Sequence, residues 1–357
     1  MKLPTIGMIG SHSAEEIGVS AKANGFRTVV VAQKGREKLY TDYSRHLYDE
    51  IILLDSFKDI LNKEIQERLK ELDTVWIPNR SFSVYVGYDE IETSFKIPLY
   101  GNRYLLRVEE RGFPKDQYWL LEKAGVRIPK SFTPDSIDRL VIIKVQQKDK
   151  PLERAFFYAS SPADYDKESK AYLEKGIITE EALSQATMEE FVLAPRFNAN
   201  FQAYGMSQAF GDLDFVGFDD RVQTSLGGLL SLPAKEQMKI EVKIMNEEVG
   251  HRGVTMRESK KPLVYEAAEK LIAGVSVHFP PKMIGLFSLQ GALTETSEFV
   301  VFDLSPRVPG APCVGPTSPE MRRLSLKFGE TVNSPLDLCM FDIRAAVKAE
   351  KLDEVLT

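Results

Sequence analysis

Short apolar segments alternate with longer amphipathic ones over the first hundred residues of the chain. The apolar segments have the length and β-branched content of buried strands, and polar or glycine-containing turns close them. Five strands are predicted here: Thr5–Ile9, Arg27–Ala32, Ile51–Leu54, Thr74–Pro78 and Lys96–Tyr100. The segments Ala14–Asn24, which Gly25 closes, and Asn62–Leu72 are predicted helices. A strand, a helix and a parallel strand in succession favour an open doubly wound α/β domain over residues 1–103.

After residue 103 the pattern changes to helices mixed with closely spaced strands. The predicted helices are Lys115–Ala124, 163–175, 180–186, Leu263–Val277 and a final amphipathic helix, Leu336–Val355. The predicted strands are Leu140–Val145, Phe156–Ala159, Met188–Leu193, Phe197–Gly205, Asp214–Asp219, Ile284–Leu293 and Glu298–Leu304. We therefore expect residues 104–357 to form an α+β region. Its parts would be a small subdomain at about 126–192 and a C-terminal subdomain at about 193–357.

Composition narrows the class of protein without naming a function. Of the 357 residues 43% are hydrophobic and 27% are charged, which is typical of globular proteins. The net charge of −6 offers no general attraction to nucleic acid or to an anionic membrane, so neither partner is predicted. The apolar runs are far shorter than a membrane span, and no signal peptide is expected. Cys313 and Cys339 are predicted to be reduced thiols, as in a cytoplasmic protein.

Two polar turns follow strands of the predicted parallel sheet. Gly10-Ser11-His12-Ser13 follows the first strand and opens a helix, where backbone N–H groups and the helix dipole favour a phosphate. Taken alone, this turn is equally well explained as a helix cap made by Ser11 or Ser13. A second turn, Asn79-Arg80-Ser81-Phe82, lies at the end of another strand. Two such turns at the carboxyl edge of one sheet indicate a ligand crevice.

Gln290 and Asp303 lie on paired strands and are candidates for one face of a hairpin. Ser305 and Arg307 extend that face at a period of two. An amide oxygen and a carboxylate that converge can hold Mg²⁺ beside nucleotide phosphates, and an arginine can neutralise the phosphate charge. A solvated sheet face with an ion pair explains the same spacing. Lys144, at a strand end, could reach a phosphate, although a lysine there is usually just a surface residue. Glu189–Val192 could be a hinge whose backbone amides meet an adenine, but this signal is weak when taken alone.

Considered together and in order, the motifs of this chain resemble those of a known family. The motifs include Gly10-Ser11-His12-Ser13, Gly25-Phe26, Ser81-Phe82, Gly101-Asn102-Arg103, Ala124-Gly125, Ile143-Lys144, Ala159-Ser160-Ser161, Glu189-Glu190-Phe191-Val192, Pro233–Gln237, Arg257-Glu258-Ser259, Pro281–Gly285, Leu289-Gln290 and Val300–Arg307. The chain resembles the archaeal formate-dependent synthetases of the PurP type. These enzymes formylate 5-aminoimidazole-4-carboxamide ribonucleotide (AICAR monophosphate) to its 5-formamido product (FAICAR monophosphate).

The resemblance implies an ATP-grasp ligase of purine (IMP) biosynthesis that forms a carbon–nitrogen bond. The expected fold is an N-terminal open parallel sheet of the pre-ATP-grasp kind, followed by α+β ATP-grasp domains. The reaction would consume ATP, formate and AICAR monophosphate through formyl phosphate, with Mg²⁺ or Mn²⁺ as the metal, in a symmetric homo-oligomer. The resemblance assigns the substrate to His12, Ser81, Ser225 and Arg307, ATP to Lys144, Glu190, Phe191 and Val192, and the metal to Gln290 and Asp303. It assigns no catalytic residue.

The chain departs from the family pattern mainly on the nucleotide side. Residues 146–154 contain no glycine where the family has a Gly-rich loop over the triphosphate. Trp119 stands where an ATP-contacting lysine is expected, with Lys115 as a possible substitute, and Asp303 replaces the usual glutamate. Three functions therefore stay open: the FAICAR synthetase reaction, the same chemistry on another small acid or amine, and a non-catalytic nucleotide-binding subunit. Retained Lys144, Gln290, Asp303 and Arg307 favour the first two.

Overall fold

The computed structural model describes residues 2–146, 154–223, 228–229, 231–239, 248–310, 315 and 318–357. The chain forms two compact units. The first consists of Met1–Val126, Arg196–Gly291 and Asp303–Thr357, and the second of Arg127–Pro195 and Ala292–Phe302. The domain limits proposed from the sequence stay predictions.

Twelve strands are present in the described residues. They are β1 (Thr5–Ile9), β2 (Arg27–Gln33), β3 (Glu50–Leu54), β4 (Thr74–Trp76), β5 (Val141–Gln146), β6 (Arg154–Ala159), β7 (Thr187–Glu190), β8 (Arg196–Ala203), β9 (Leu213–Gln223), β10 (Glu248–Val254), β11 (Gly285–Leu293) and β12 (Phe299–Ser305). All the predicted strands except Lys96–Tyr100 are among them, and β10 is an addition.

The same residues contain twelve α-helices. They are α1 (Ala14–Ala23), α2 (Lys63–Glu71), α3 (Arg80–Val86), α4 (Tyr88–Thr93), α5 (Gln117–Lys123), α6 (Pro162–Glu174), α7 (Glu180–Ser184), α8 (Ser207–Phe210), α9 (Ala234–Gln237), α10 (Lys261–His278), α11 (Pro319–Phe328) and α12 (Pro335–Lys348). None of them is both long enough and apolar enough to cross a bilayer.

The N-terminal sheet has the strand order β3-β2-β1-β4, and its pairs are parallel. All five residues of β1 are buried, which is the pattern of a central strand covered on both faces. The predicted α/β class and open parallel sheet are therefore confirmed. The carboxyl ends of the neighbouring strands β1 and β4 lie side by side, where the two polar turns begin.

The prediction of a strand at Lys96–Tyr100 is wrong. Leu99 forms only an isolated bridge to Trp76, and Tyr100 forms one to Leu356. Pro98 interrupts the ladder because proline has no N–H group, although its carbonyl oxygen accepts a hydrogen bond from the Trp76 N–H at 2.8 Å. The segment therefore lies along the sheet without becoming a strand.

A five-stranded sheet has the order β10-β9-β8-β11-β12, with antiparallel pairing of β8 with β9 and of β9 with β10. The pairing of β8 and β9 shifts at Asn200, which lies opposite Gly217, while Phe201 lies opposite Phe215. This β-bulge is notable because bulges bend a strand and redirect its side chains, often beside a functional site.

The C-terminal segment differs from the amphipathic helix predicted over Leu336–Val355. Helix α12 ends at Lys348, and a separate 3₁₀ turn follows at Leu352–Val355. Glu350 adopts a left-handed φ of 59°, which an α-helix cannot accommodate. The first nine residues of α12 are all buried. This helix is thus part of the core of the first unit, where it packs in the same hydrophobic cluster as Ile17 of α1.

The second unit is built on the antiparallel sheet β6-β5-β7. The predicted hairpin partner of β5 is confirmed, since Ile143 lies opposite Phe157. Val141, Ile143 and Phe157 pack into a small core with Tyr165 of α6. β7 ends at Glu190, three residues before the predicted limit.

Candidate active site

The turn after β1 has a geometry that its sequence only partly predicts. A Cβ atom on Gly10 would lie 2.9 Å from the Tyr40 ring, so only glycine fits without displacing that ring. His12 and Ser13 have left-handed φ angles of 26° and 66°. The Ser13 side chain does not cap α1 and instead donates to the carbonyl oxygen of Pro309 at 3.3 Å. The capping role considered for Ser13 is therefore not observed.

Asn79 and Ser81 join the two predicted turns. The fully buried Asn79 side chain donates from Nδ2 to the carbonyl oxygens of Ser11 (3.0 Å) and His12 (2.9 Å), and its Oδ1 caps α3 by accepting from the Phe82 N–H. Ser81 Oγ donates to Ser11 Oγ at 2.9 Å. The structure thus brings His12 and Ser81 to one edge of the sheet.

Arg307 lies beside this edge in a buried ion pair. Its Nη2 and Nε atoms donate to the two carboxylate oxygens of Glu109, at 2.5 and 3.2 Å. Both side chains are less than a tenth exposed, and Arg80 lies 3.4 Å from the same carboxylate. Two arginines therefore surround Glu109, which fixes the guanidinium of Arg307 in one orientation.

Gln290 and Asp303 are brought together around Arg221. The Arg221 Nη2 atom lies 4.0 Å from Asp303 Oδ2, and its Nε and Nη2 atoms lie 3.1 Å from the end of the Gln290 amide. Burial raises the pKa of Asp303, and the nearby carboxylate of Glu109 raises it further. Two carboxylates and an amide oxygen suit Mg²⁺ chemically. However, no group of three His, Cys, Asp or Glu side chains placed to hold a metal occurs among the described residues.

A buried carboxylate network that the sequence analysis missed adjoins Gln290. The end of the Gln290 amide that faces Arg221 also lies 2.6 Å from Asn198 Oδ1, and Asn198 Nδ2 donates to Asp219 Oδ2 at 2.7 Å. Asp219 is fully buried and also contacts Asn200 and the Nδ1 atom of His251. The sequence feature that could have indicated this network is the alternation of Asn198, Asn200 and Gln202 on β8. The same alternation is typical of an ordinary solvent-exposed strand face.

The predicted ATP residues of the second unit lie along β5 and the end of β7. Lys144 Nζ forms an ion pair with the buried Glu189 at 2.5 Å. Glu190 is bonded to Arg127 at 2.6 Å. Although burial alone would raise the pKa of Glu190, hydrogen bonds from Arg127 and the Lys130 N–H lower it overall. Phe191 packs edge-to-face on Tyr158, and the Val192 carbonyl accepts from the Ala194 N–H.

Some predicted features lie outside the described residues, namely Ser225, Cys313 and residues 147–153 of the glycine-free loop. Cys339 is described and is a buried free thiol, as predicted. The proposed lysine substitute, Lys115, has its Nζ 5.5 Å from the centre of the Trp119 ring. Trp119 and Lys115 are thus neighbours in the first unit.

Comparisons with known proteins extend over nearly the whole chain. Two family models match it, "Protein of unknown function (DUF1246)" over residues 6–132 and "Domain of unknown function (DUF1297)" over residues 164–357. A curated relative from Methanocaldococcus jannaschii is 37% identical over 307 residues, which are 86% of this chain and 82% of the relative. Its name is 5-formaminoimidazole-4-carboxamide-1-(beta)-D-ribofuranosyl 5'-monophosphate synthetase. The chain belongs to this FAICAR monophosphate synthetase family.

Another member of the FAICAR monophosphate synthetase family, from Methanopyrus kandleri, is 38% identical over 92% of this chain and 88% of its own length. A solved structure of an IMP biosynthesis protein PurP from Thermococcus kodakaraensis has a TM-score of 0.70 at 23% identity and covers 99% of this chain and 100% of its own. The predicted family resemblance is confirmed.

More distant solved structures show the fold alone. The ADP complex of an N5-carboxyaminoimidazole ribonucleotide synthetase has a TM-score of 0.57 at 15% identity, covering 87% of this chain and 73% of its own. A biotin carboxylase from Campylobacter jejuni has a TM-score of 0.58 at 13% identity, and the match covers 94% of this chain and 73% of the carboxylase. The predicted ATP-grasp architecture of this family member is thereby confirmed.

Proposed function

We propose that this chain is a ligase that formylates AICAR monophosphate to FAICAR monophosphate with ATP and formate, in IMP biosynthesis. The observation that carries the proposal is the identity of 37–38% to two curated synthetases over more than four fifths of their length. The polar groups described above support it, because hydrogen-bond donors suited to a phosphate and oxygen atoms suited to a cation lie within the first unit.

Formate is a poor acyl donor until one of its oxygens carries a leaving group. Transfer of the terminal phosphoryl group of ATP to formate would give formyl phosphate and ADP. The amine of AICAR would then attack the formyl carbon, lose a proton and release phosphate. Positioning and charge neutralisation dominate the catalysis of such phosphoryl transfers.

The side chains of the first unit would bind the substrate and the metal. His12 and Ser81 would bind AICAR monophosphate beside the turn after β1, with Ser225 and Arg307 as the further substrate residues. Gln290 and Asp303 would hold Mg²⁺, which would neutralise phosphate charge. The raised pKa of Asp303 supports this role, since a cation relieves the repulsion between Asp303 and Glu109. Arg221 would have to give way or share the carboxylate.

Lys144 would contact the ATP phosphates, and Glu190, Phe191 and Val192 would contact adenine and ribose. We expect Lys144→Ala to lower ADP formation at least about tenfold, because a positive charge is lost where phosphate charge develops. The same change removes the Lys144 ion pair from the buried Glu189, so stability falls as well.

The double variant Lys144→Ala/Glu189→Gln separates the two effects. It also removes the charge of Glu189, so its melting temperature should recover while ADP formation stays low. Full activity in either variant would refute the phosphate contact. Activity that recovers together with the melting temperature would show that Lys144 acts only through stability.

One assay tests the overall function. Purified protein is incubated with ATP, Mg²⁺, formate and AICAR monophosphate, and both ADP and FAICAR monophosphate are followed. Joint appearance of the two products supports the proposal. ADP formed only with another acid or amine points to a different substrate. Absence of ADP and of any ATP-dependent shift in melting temperature would exclude both enzymatic functions.

A non-catalytic nucleotide-binding role is the second candidate. The observation that favours it is the position of Arg221, whose guanidinium lies against both proposed metal ligands. Such a protein would bind AICAR monophosphate without hydrolysing ATP. For either function we propose a cytoplasmic protein that forms a closed homo-oligomer, which light scattering would test.

A further inference from the structure

Asn200 has a buried oxygen for which the described part of the chain offers no hydrogen-bond donor. The residue is 1% exposed, and its Oδ1 has no partner there. Its Nδ2 donates to Asp219 Oδ1 at 2.6 Å and to the Gly217 carbonyl at 3.2 Å. Rotating the amide would turn its oxygen toward these two acceptors, so the orientation is fixed. An unsatisfied buried acceptor destabilises the folded chain unless something binds it.

The same residue lines a pocket in the first unit. The pocket has about 290 Å³ of space, which includes open solvent, and its enclosed part has room for about one water molecule or one small polar group. Its walls include the apolar residues Val216, Leu286 and Leu336, and Ser13 also lines it. Ser13 belongs to the turn after β1, the proposed phosphate end of the substrate site. The pocket therefore extends from that turn to Asn200.

The position of Asn200 on β8 relates this pocket to the reacting groups. Asn198, which contacts the Gln290 amide, lies two residues earlier on the same face. Two residues of a strand span about 7 Å, roughly the width of a small heterocycle with its substituents. Asp219 holds both amides, and the β-bulge at Asn200 interrupts the regular ladder at this point.

We propose that Asn200 Oδ1 accepts a hydrogen bond from the 5-amino group of the AICAR ring and thereby selects an amine-bearing heterocycle. The proposal rests on the proposed function, whose substrate it places with the amino group at Asn200 and the ring in the open mouth of the pocket beside Ser13. Asp219 is the positioning residue, because it holds the Asn200 amide by its NH₂ end. A ring that carries a carbonyl oxygen instead of the amine would set two acceptors against each other.

The test compares two ligands and two variants by calorimetry. AICAR monophosphate carries the ring, whereas ribose 5-phosphate carries only the sugar and phosphate. We expect Asn200→Ala to weaken binding of AICAR monophosphate at least about tenfold, because one buried hydrogen bond is lost, and to change binding of ribose 5-phosphate less than about twofold. Asn200→Asp keeps an acceptor oxygen and takes up a proton beside Asp219, so it should retain most of the preference for AICAR monophosphate.

Each alternative outcome is decisive. An unchanged preference in Asn200→Ala would show that Oδ1 meets only water, and equal weakening of both ligands would show a purely structural role. Loss of preference in Asn200→Asp as large as in Asn200→Ala would also overturn the proposal. If Asn200→Ala does not fold, Asn200→Ser replaces it. Wild-type protein that shows the preference but forms no FAICAR monophosphate would refute the proposed function and leave this inference standing.

Discussion

Arg307→Met is expected to lower the free energy of unfolding by about 3 kcal/mol, because it leaves the Glu109 carboxylate buried without its bidentate partner. The cost stays near the lower end of the range for broken buried ion pairs, since Arg80 still lies 3.4 Å from the same carboxylate. Urea unfolding followed by tryptophan fluorescence measures the effect. Trp76 and Trp119 are the two tryptophans of the chain, and both lie in the first unit.

Arg68→Met is the matched control for this experiment. Arg68 also donates to both oxygens of a glutamate, Glu50, at 2.7 Å each, but its side chain is about half exposed. Exposed pairs contribute about 0–1 kcal/mol, so Arg68→Met should change stability little. Equal losses in the two variants would contradict the conclusion that burial makes the Glu109 pair important. If Arg307 also binds substrate, Arg307→Met loses AICAR monophosphate affinity as well.

Asp303→Asn is expected to lower formylation at least about a hundredfold while leaving the protein as stable as before or more stable. The activity falls because the amide is a poorer ligand for the metal that would neutralise phosphate charge. Stability does not fall, because the folded protein raises the pKa of Asp303. The ionised carboxylate is therefore less favourable in the folded chain than in the unfolded one.

The effect of Asp303→Asn on stability should depend on pH. The stability that Asp303 contributes is complete below the ordinary pKa of an aspartate and is lost as pH rises through its raised pKa. The melting temperature of Asp303→Asn relative to wild type should accordingly increase as pH rises above the ordinary aspartate pKa of about 3.9. Asp55→Asn, at a highly exposed aspartate, is the control and should change neither property. A destabilised Asp303→Asn protein with normal turnover would contradict both the predicted loss of formylation and the predicted gain in stability.

The sequence predicted the fold wherever local pattern and tertiary environment agree. Strand β1 is apolar after Thr5 and is buried on both faces, so its position could be predicted to the residue. Lys96–Tyr100 is also largely apolar and lies along the edge strand β4, but Pro98 has no N–H group, and the contact is limited to an isolated bridge. The C-terminal helix was misjudged because its polar residues suggested an exposed face. One of them, Asp342, is fully buried and accepts hydrogen bonds from the Gly205 N–H and the Tyr100 hydroxyl.

The candidate site was predictable only where single residues carry a family motif. His12, Ser81, Gln290 and Asp303 were identified in this way, and the structure places each pair together. The partners that fix them were not predictable, because they come from distant parts of the chain and have no motif of their own. Asn79 resembled a turn residue, and Asn200 resembled one of several polar residues alternating along a strand. Their importance arises from burial, which a single sequence does not reveal.

The burial of α12 beside α1 has a consequence for biosynthesis. The hydrophobic core around Ile17 includes Leu338, Phe341 and Val355, near the other end of the chain. A ribosome adding about 5–20 residues per second takes roughly fifteen to sixty-five seconds to synthesise the intervening chain. During that interval the emerging first helix lacks part of its core, and chaperones that bind exposed apolar segments would meet it in this state. Ribosome-bound chains that stop before α12 should therefore be digested by proteases faster than released full-length protein.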